Sequence, residues 1–104
     1  MQYEIAQLSS EARVLIYQGS QDPHATIARH KYFNNQMFVQ ANRQQYPKPP
    51  KETDARARAA WWGAVDELAA LGLIREMGRK GEVFELTREG FEVAEALGPQ
   101  DEGR

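Results

Sequence analysis

The segment from Asp54 to Leu97 constrains the fold of this 104-residue chain more than any other stretch. Residues 54–71 are rich in alanine, which has the highest helix propensity. Gly72 is well placed to end a helix there. Residues 73–77 and 82–86 alternate apolar and polar side chains on either side of a basic, glycine-bounded turn, which predicts a β-hairpin.

Cap residues and apolar spacing set the two helices of this segment. Thr53 or Asp54 is expected to cap the long helix, and Thr87 the last one. Gly98-Pro99 is expected to end the last helix. Each helix has apolar residues recurring along one face. These residues are Trp61, Val65, Leu68 and Leu71 in the long helix, and Phe91, Ala94 and Leu97 in the last one.

The first half of the chain predicts one more helix and a second hairpin. Ser9 suits a helix N-cap, and Gly19 is expected to end that helix. β-Branched and aromatic residues flank Asn34-Asn35 within residues 25–42, which favours two strands and a tight turn. A single helix from Thr26 to Gln45 is the alternative.

Proline dominates the connection that follows, residues 43–53. Pro47, Pro49 and Pro50 exclude a helix and favour an extended, exposed link. Pro47 and Pro50 have the spacing of a PxxP ligand, but a stiff linker is the commoner use of such a sequence.

Length and composition indicate one domain over residues 1–98 with a loose tail over residues 99–104. The sequence contains no cysteine, which fits a reducing cytoplasm. Its start lacks the features of a signal peptide, and no apolar run is long enough to span a bilayer. A cytoplasmic protein is therefore expected.

Charge is unevenly distributed, although the formal net charge is only −2. Residues 24–58 contain seven basic and two acidic side chains, whereas residues 66–104 contain five basic and ten acidic ones. A basic middle suits a polyanionic partner, and a solvated surface of mixed charge is the alternative interpretation.

The sequence resembles the winged helix-turn-helix superfamily, in particular small bacterial and phage modules without an assigned activity. Three stretches carry the resemblance: Leu68 to Ile74, Gly78 to Gly81 and Phe84 to Gly90. It implies an α+β fold in the order helix, hairpin, long helix, β wing, helix. The expected hairpin at residues 25–42 replaces the second helix of a standard winged helix.

The resemblance implies a non-catalytic, DNA-binding module with a role in transcription regulation. In such a module the long helix enters the major groove and the wing contacts the DNA backbone. Seven basic side chains are the candidates for nucleic-acid contacts. They are Arg56, Arg58, Arg79, Lys80, Lys48, Lys51 and Arg43.

A protein-interaction module is the alternative, including a phage-type inhibitor of a host nucleic-acid-binding defence complex or a homodimer. Trp62 lies one position off the apolar stripe, and tryptophan and arginine are common interface hot spots. Its candidate interface residues are Trp62, Arg58, Tyr32, Phe33 and Phe38.

Enzymatic activity is not expected from this sequence. His24 and His30 have no third ligand at a suitable interval, so no zinc site is predicted. The turn Gly78–Gly81 is too short for a phosphate-binding glycine loop. No cofactor and no small-molecule substrate are therefore predicted.

Overall fold

Three helices and a five-stranded antiparallel sheet make up the α+β fold. The computed structural model describes residues 7–31, 37–78 and 80–101. In chain order the elements are α1 (Ser10–Gln21), β1 (Thr26–Lys31), β2 (Met37–Ala41), β3 (Gln44–Tyr46), a 3-10 turn (Lys51–Thr53), α2 (Ala55–Ala70), β4 (Ile74–Met77), β5 (Val83–Leu86) and α3 (Arg88–Leu97).

The strands lie in the order β3-β2-β1-β5-β4, so the two hairpins join through β1 and β5. Ile27 pairs with both Ala41 of β2 and Phe84 of β5. The predicted strands on both sides of Asn34-Asn35 are confirmed, and the single-helix alternative is wrong. Asn34 and Asn35 themselves lie outside the described residues.

One face of the sheet packs against the helices and forms the core. Ile27, Val39 and Tyr46 project from this face and are at most 1% exposed. Side chains alternate between faces along a strand. The opposite face, here named the open face, therefore carries the intervening residues, and several are half-buried or exposed. They include Ala28, His30, Phe38, Gln40, Met77 and Val83.

Helix α1 is longer than its glycine predicts. It continues through Gly19 to Gln21, so the expected end at Gly19 is wrong. Gly19 is buried, and a β-carbon there would lie 2.7 Å from Cδ1 of Leu86 and 3.1 Å from Cγ1 of Ile27. The absence of a side chain lets α1 approach the sheet closely, so this glycine is a packing residue.

The proline-rich connection is not simply an extended, exposed link. Gln44–Tyr46 pairs with β2 as an edge strand, and Tyr46 is 1% exposed. The Tyr46–Pro47 and Pro49–Pro50 peptide bonds are cis. The prediction correctly excluded an α-helix but missed the strand. Tyr46 is buried by α2, where Trp61 stacks on its ring with 4.5 Å between centroids, and this contact is not visible in the local sequence.

The helix caps are confirmed, while two predicted core positions are wrong. The side chains of Ser9, Asp54 and Thr87 accept hydrogen bonds from the first-turn amides of α1, α2 and α3. Leu71 is 39% exposed and Phe91 is 38% exposed. Leu71 lies outside α2, which ends at Ala70. In α3 the buried residues are Gly90, Val93 and Ala94, and Phe91 is not among them.

Within the described part of the chain, the helices are too short or too polar to cross a bilayer.

Candidate nucleic-acid interface

The sheet has two distinct ends, and the register of the strands defines them. We name the end at Lys31, Met37 and the turn of residues 78–81 the tip end. The opposite end, at Thr26, Ala41 and Ile74, is the base end. Ile27 and Lys31 of β1 are four residues apart, which corresponds to about 13 Å along the strand.

Helix α2 crosses the helix-facing side of the sheet. Its C-terminus leads through Gly72 to β4 at the base end, where the Thr87 hydroxyl donates to the Gly72 carbonyl at 2.7 Å. In the middle of the helix, Trp61 stacks on Tyr46 of β3 and Asp66 reaches Arg29 of β1. The first turn of α2, with Arg56, precedes these contacts.

Exposed cations lie at the tip end and on the segment that leads into α2. Lys51 and Arg56 are exposed on the 3-10 turn and the first turn of α2, and Lys80 is exposed in the turn between β4 and β5. Lys31 is exposed as the last residue of β1, and it was not among the predicted contact residues. The strand register places Lys31 and Lys80 together at the tip end.

Lys48 is engaged locally, with residues of the edge strand β3. Its ammonium donates to the side-chain oxygen of Gln44 and lies 5.3 Å from the ring centroid of Tyr46. Arg79, the other predicted cation of the tip turn, lies outside the described residues.

Arg43 lies at the opposite end of the sheet from Lys31 and Lys80. It occupies the turn between β2 and β3 with φ +66°, next to Asn42, whose amide donates to Gln18 of α1 at 2.9 Å. This turn follows Ala41 and therefore lies at the base end. The basic track expected from the sequence ends at Lys48 and does not include Arg43.

Arg58 differs from its exposed neighbours because it is half-buried. Its Nε atom is buried and has no hydrogen-bond partner among the described residues. Buried donors are nearly always paired in folded proteins. An anionic group brought by a ligand would supply the missing acceptor.

Arg29 is the functional residue that sequence reasoning missed. Its Nε and Nη2 donate to the Gly81 carbonyl at 3.2 and 3.1 Å, and its Nη1 donates to Asp66 at 2.9 Å. The guanidinium lies 4.9 Å from the Trp62 ring centroid and 5.2 Å from that of Phe84. The sequence offers only a weak indication of this role, because Arg29 stands at a strand position that would face the helices and would ordinarily be apolar.

The candidate protein-interface residues lie on two different surfaces. Trp62 is half-buried beside Arg29 on the helix side of the sheet. Phe38 is half-buried on the open face, where its ring stacks on His30 with 4.8 Å between centroids. The structure does not join them into one patch. Tyr32 and Phe33 lie outside the described residues.

Exposed acidic side chains lie both on α3 and beside the cations. Helix α3 exposes Glu89, Glu92 and Glu95, and it begins at the base end, where the Thr87 amide donates to Leu73. Glu52, beside Lys51, and Glu82, beside Gly81, are exposed as well. Two further acids have local roles, since Asp54 caps α2 and Glu76 accepts from the Gly81 amide.

The described residues do not bring three His, Asp or Glu side chains together in an arrangement that would hold a metal ion.

Comparison with known proteins gives no relative: no family model, curated protein or solved structure matches this chain.

Proposed function

We propose that this chain is a non-catalytic, winged-helix-like module that binds DNA through its phosphate backbone. The single observation that carries the proposal is a set of exposed cations, Lys51, Arg56 and Lys80, on the segments that lead into α2 and join β4 to β5. The proposed interface is centred on Lys80 at the tip end, and the acidic helix α3 starts at the base end. A phosphate backbone approaching the tip is attracted by Lys51, Arg56 and Lys80.

The connectivity supports the winged-helix interpretation. A helix leads into β1, β1 pairs with β5, and the β4–β5 hairpin follows the long helix α2. In this interpretation α2 is the groove-facing helix and the β4–β5 hairpin is the wing. The strands β2 and β3 occupy the chain position of the second helix.

Backbone contact is favoured over base recognition by the composition of α2. Its exposed surface includes Ala59, Ala60, Gly63 and Ala70. None of these side chains has a hydrogen-bonding group for a base edge, and phosphate contacts carry no direct sequence information. We therefore expect little preference among duplexes of different sequence.

The test is binding to a random duplex across a salt series from about 50 to about 200 mM, where each phosphate contact contributes roughly −0.9 to the slope of log K against log salt. Arg56→Gln with Lys80→Gln removes two tip cations. Arg43→Gln with Arg88→Gln is the matched control, because it removes the same charge elsewhere.

The tip variant is expected to make the slope less negative by roughly 1.8, since two contacts are lost, and the control to leave it near the native value. Absence of binding by the native chain at low salt would overturn the DNA proposal. Equal weakening by both double substitutions would overturn the placement of the interface at the tip.

A protein partner is the second candidate, and the open face is the observation that favours it. Met77 and Val83 form a cross-strand pair there and are 46% and 37% exposed. Sedimentation of the native chain and of Val83→Lys tests whether a second copy binds this face. A concentration-dependent dimer that Val83→Lys abolishes would support it, and a monomer at all concentrations would exclude self-association.

A further inference from the structure

We infer that Arg29 is a positioning residue that fixes the tip turn, residues 78–81, against α2, so that cations on both elements contact one DNA backbone together. The inference rests on the proposed DNA-binding function. Arg29 itself is not expected to contact DNA, because its side chain is only 11% exposed.

The contacts of Arg29 join three elements. Two guanidinium nitrogens donate to the same carbonyl oxygen, that of Gly81 in the tip turn. The third bonds Asp66 of α2, and the Arg29 backbone amide donates to Glu82 at 2.6 Å. The described hydrogen bonds between the tip turn and α2 therefore run through this one side chain.

Aromatic rings hold the guanidinium in place between these partners. Phe84 of β5 and Trp62 of α2 both lie about 5 Å from it, within the range of cation–π attraction. Arginine is suited to this role because its planar fork donates in several directions while its faces stack on aromatics. A lysine retains the charge but has neither the fork nor the flat face.

The local backbone explains why the tip turn needs this support. Gly78 and Gly81 both have positive φ, +94° and +65°, and a β-carbon at Gly78 would meet no other atom within 4 Å. Gly78 is exposed, whereas a β-carbon at Gly81 would lie 3.5 Å from Nη2 of Arg29. Besides the Glu76 carboxylate on the Gly81 amide, the Arg29 bonds are the side-chain contacts described for it.

The consequence is a coupling between Arg29 and Lys80. With the turn fixed, Lys80 keeps a defined position relative to α2, the helix that carries Arg56. Without Arg29 the turn samples more positions, and the contribution of Lys80 to binding falls even though Lys80 is still present.

A double-mutant cycle measures this coupling. The salt slope is determined for the native chain, Lys80→Gln, Arg29→Met and the double variant. In the native background Lys80→Gln is expected to make the slope less negative by about 0.9, the value of one phosphate contact. In the Arg29→Met background the same substitution is expected to change it by less than about half of that.

Two further variants separate positioning from charge and from unfolding. Arg29→Lys keeps the charge and is expected to behave like Arg29→Met. Restoration of native coupling by Arg29→Lys would overturn the inference. Asp66→Ala breaks only the α2 side of the contact, at a side chain that is 66% exposed, so it remains informative if Arg29→Met does not fold. Asp66→Ala, like Arg29→Met, is expected to reduce the effect of Lys80→Gln on the salt slope.

A readout without DNA distinguishes failure of this inference from failure of the proposed function. Amide ¹⁵N relaxation of Gly78, Lys80 and Gly81 is expected to show faster motion in Arg29→Met and Asp66→Ala than in the native chain. Unchanged relaxation in both variants would overturn the positioning role. A native chain that binds no DNA, with the relaxation change present, would refute the DNA function and the coupling while leaving the structural contact established.

Discussion

Ser9 and Glu67 are 58 residues apart in sequence, yet both Ser9 donors bond the two oxygens of one carboxylate. The Ser9 amide donates to Oε2 of Glu67 at 3.0 Å, and its hydroxyl donates to Oε1 at 2.7 Å. The same hydroxyl accepts from the Ala12 amide at 3.1 Å. The N-terminus of α1 is thereby capped by its own serine and tied to α2.

Glu67→Ala is expected to lower the free energy of unfolding by about 1–3 kcal/mol, because it leaves the partly buried Ser9 donors without their charged acceptor. Chemical denaturation measures the loss. Glu95→Ala, at an exposed position on α3, is the control and is expected to change stability by less than about 0.5 kcal/mol. Similar losses in the two variants would show that the Ser9 contact contributes little.

Two glycines in helices are expected to respond to alanine in opposite directions. A β-carbon on Gly90 would lie 2.1 Å from the Leu73 carbonyl oxygen, so Gly90→Ala must displace α3 from the backbone before β4. A loss of about 1–3 kcal/mol or more is expected. Gly63 is exposed, and a β-carbon there would meet no other atom within 4 Å. Gly63→Ala is therefore expected to raise the free energy of unfolding by about 0.5–1 kcal/mol. Thermal unfolding of both variants tests the contrast.

Tyr46 and Trp61 stack with 4.5 Å between ring centroids and an interplanar angle of 21°. Alanine substitutions at the two positions are expected to show a coupling of about 0.5–1.5 kcal/mol in a double-mutant cycle. Tyr46→Ala with Met77→Ala is the control cycle, since β3 and β4 are opposite edges of the sheet. Additive effects for Tyr46 and Trp61 would mean that the coupling free energy between the two stacked rings is zero.

Two substitutions of Asp54 are expected to separate stability from the proposed DNA binding. Asp54→Ala removes the cap of α2 and is expected to cost about 0.5–2 kcal/mol, while Asp54→Asn keeps a capping oxygen and most of the stability. Asp54→Asn also removes a negative charge beside Lys51 and Arg56, so DNA affinity is expected to rise roughly 2-fold. Denaturation and low-salt binding measure the two effects. Unchanged or weaker binding by Asp54→Asn would contradict a DNA interface at the tip.

Much of the fold was predictable because its signals are local. The cap residues Ser9, Asp54 and Thr87 act within one turn of their own helices, and Gly72 has the positive φ that favours glycine after a helix. The period-two pattern that flanks residues 78–81 likewise predicted β4 and β5, and the β-branched and aromatic residues that flank Asn34-Asn35 predicted β1 and β2. Each of these inferences needs only neighbouring residues.

The candidate site was predictable only in part. The charges of Lys51, Arg56 and Lys80 were apparent from the sequence, but the end of the sheet at which Lys80 lies follows from the pairing of β5 with β1. Arg43 has the same charge and lies at the other end, because β2 and β3 carry its turn away from the tip. Trp62 was expected at an interface, yet it is half-buried and Arg29 lies beside it.

The sequence by itself determined where the helices start, that Gly72 follows α2 and that β1, β2, β4 and β5 are strands, because those outcomes depend on propensity and short-range hydrogen bonds. Only the tertiary structure decided that Gly19 is a packing residue, that Gln44–Tyr46 is a strand and that Arg29 joins the tip turn to α2. The physical reason is that each of these three depends on partners distant in the chain: Leu86 for Gly19, β2 and Trp61 for Tyr46, and Asp66 and Gly81 for Arg29.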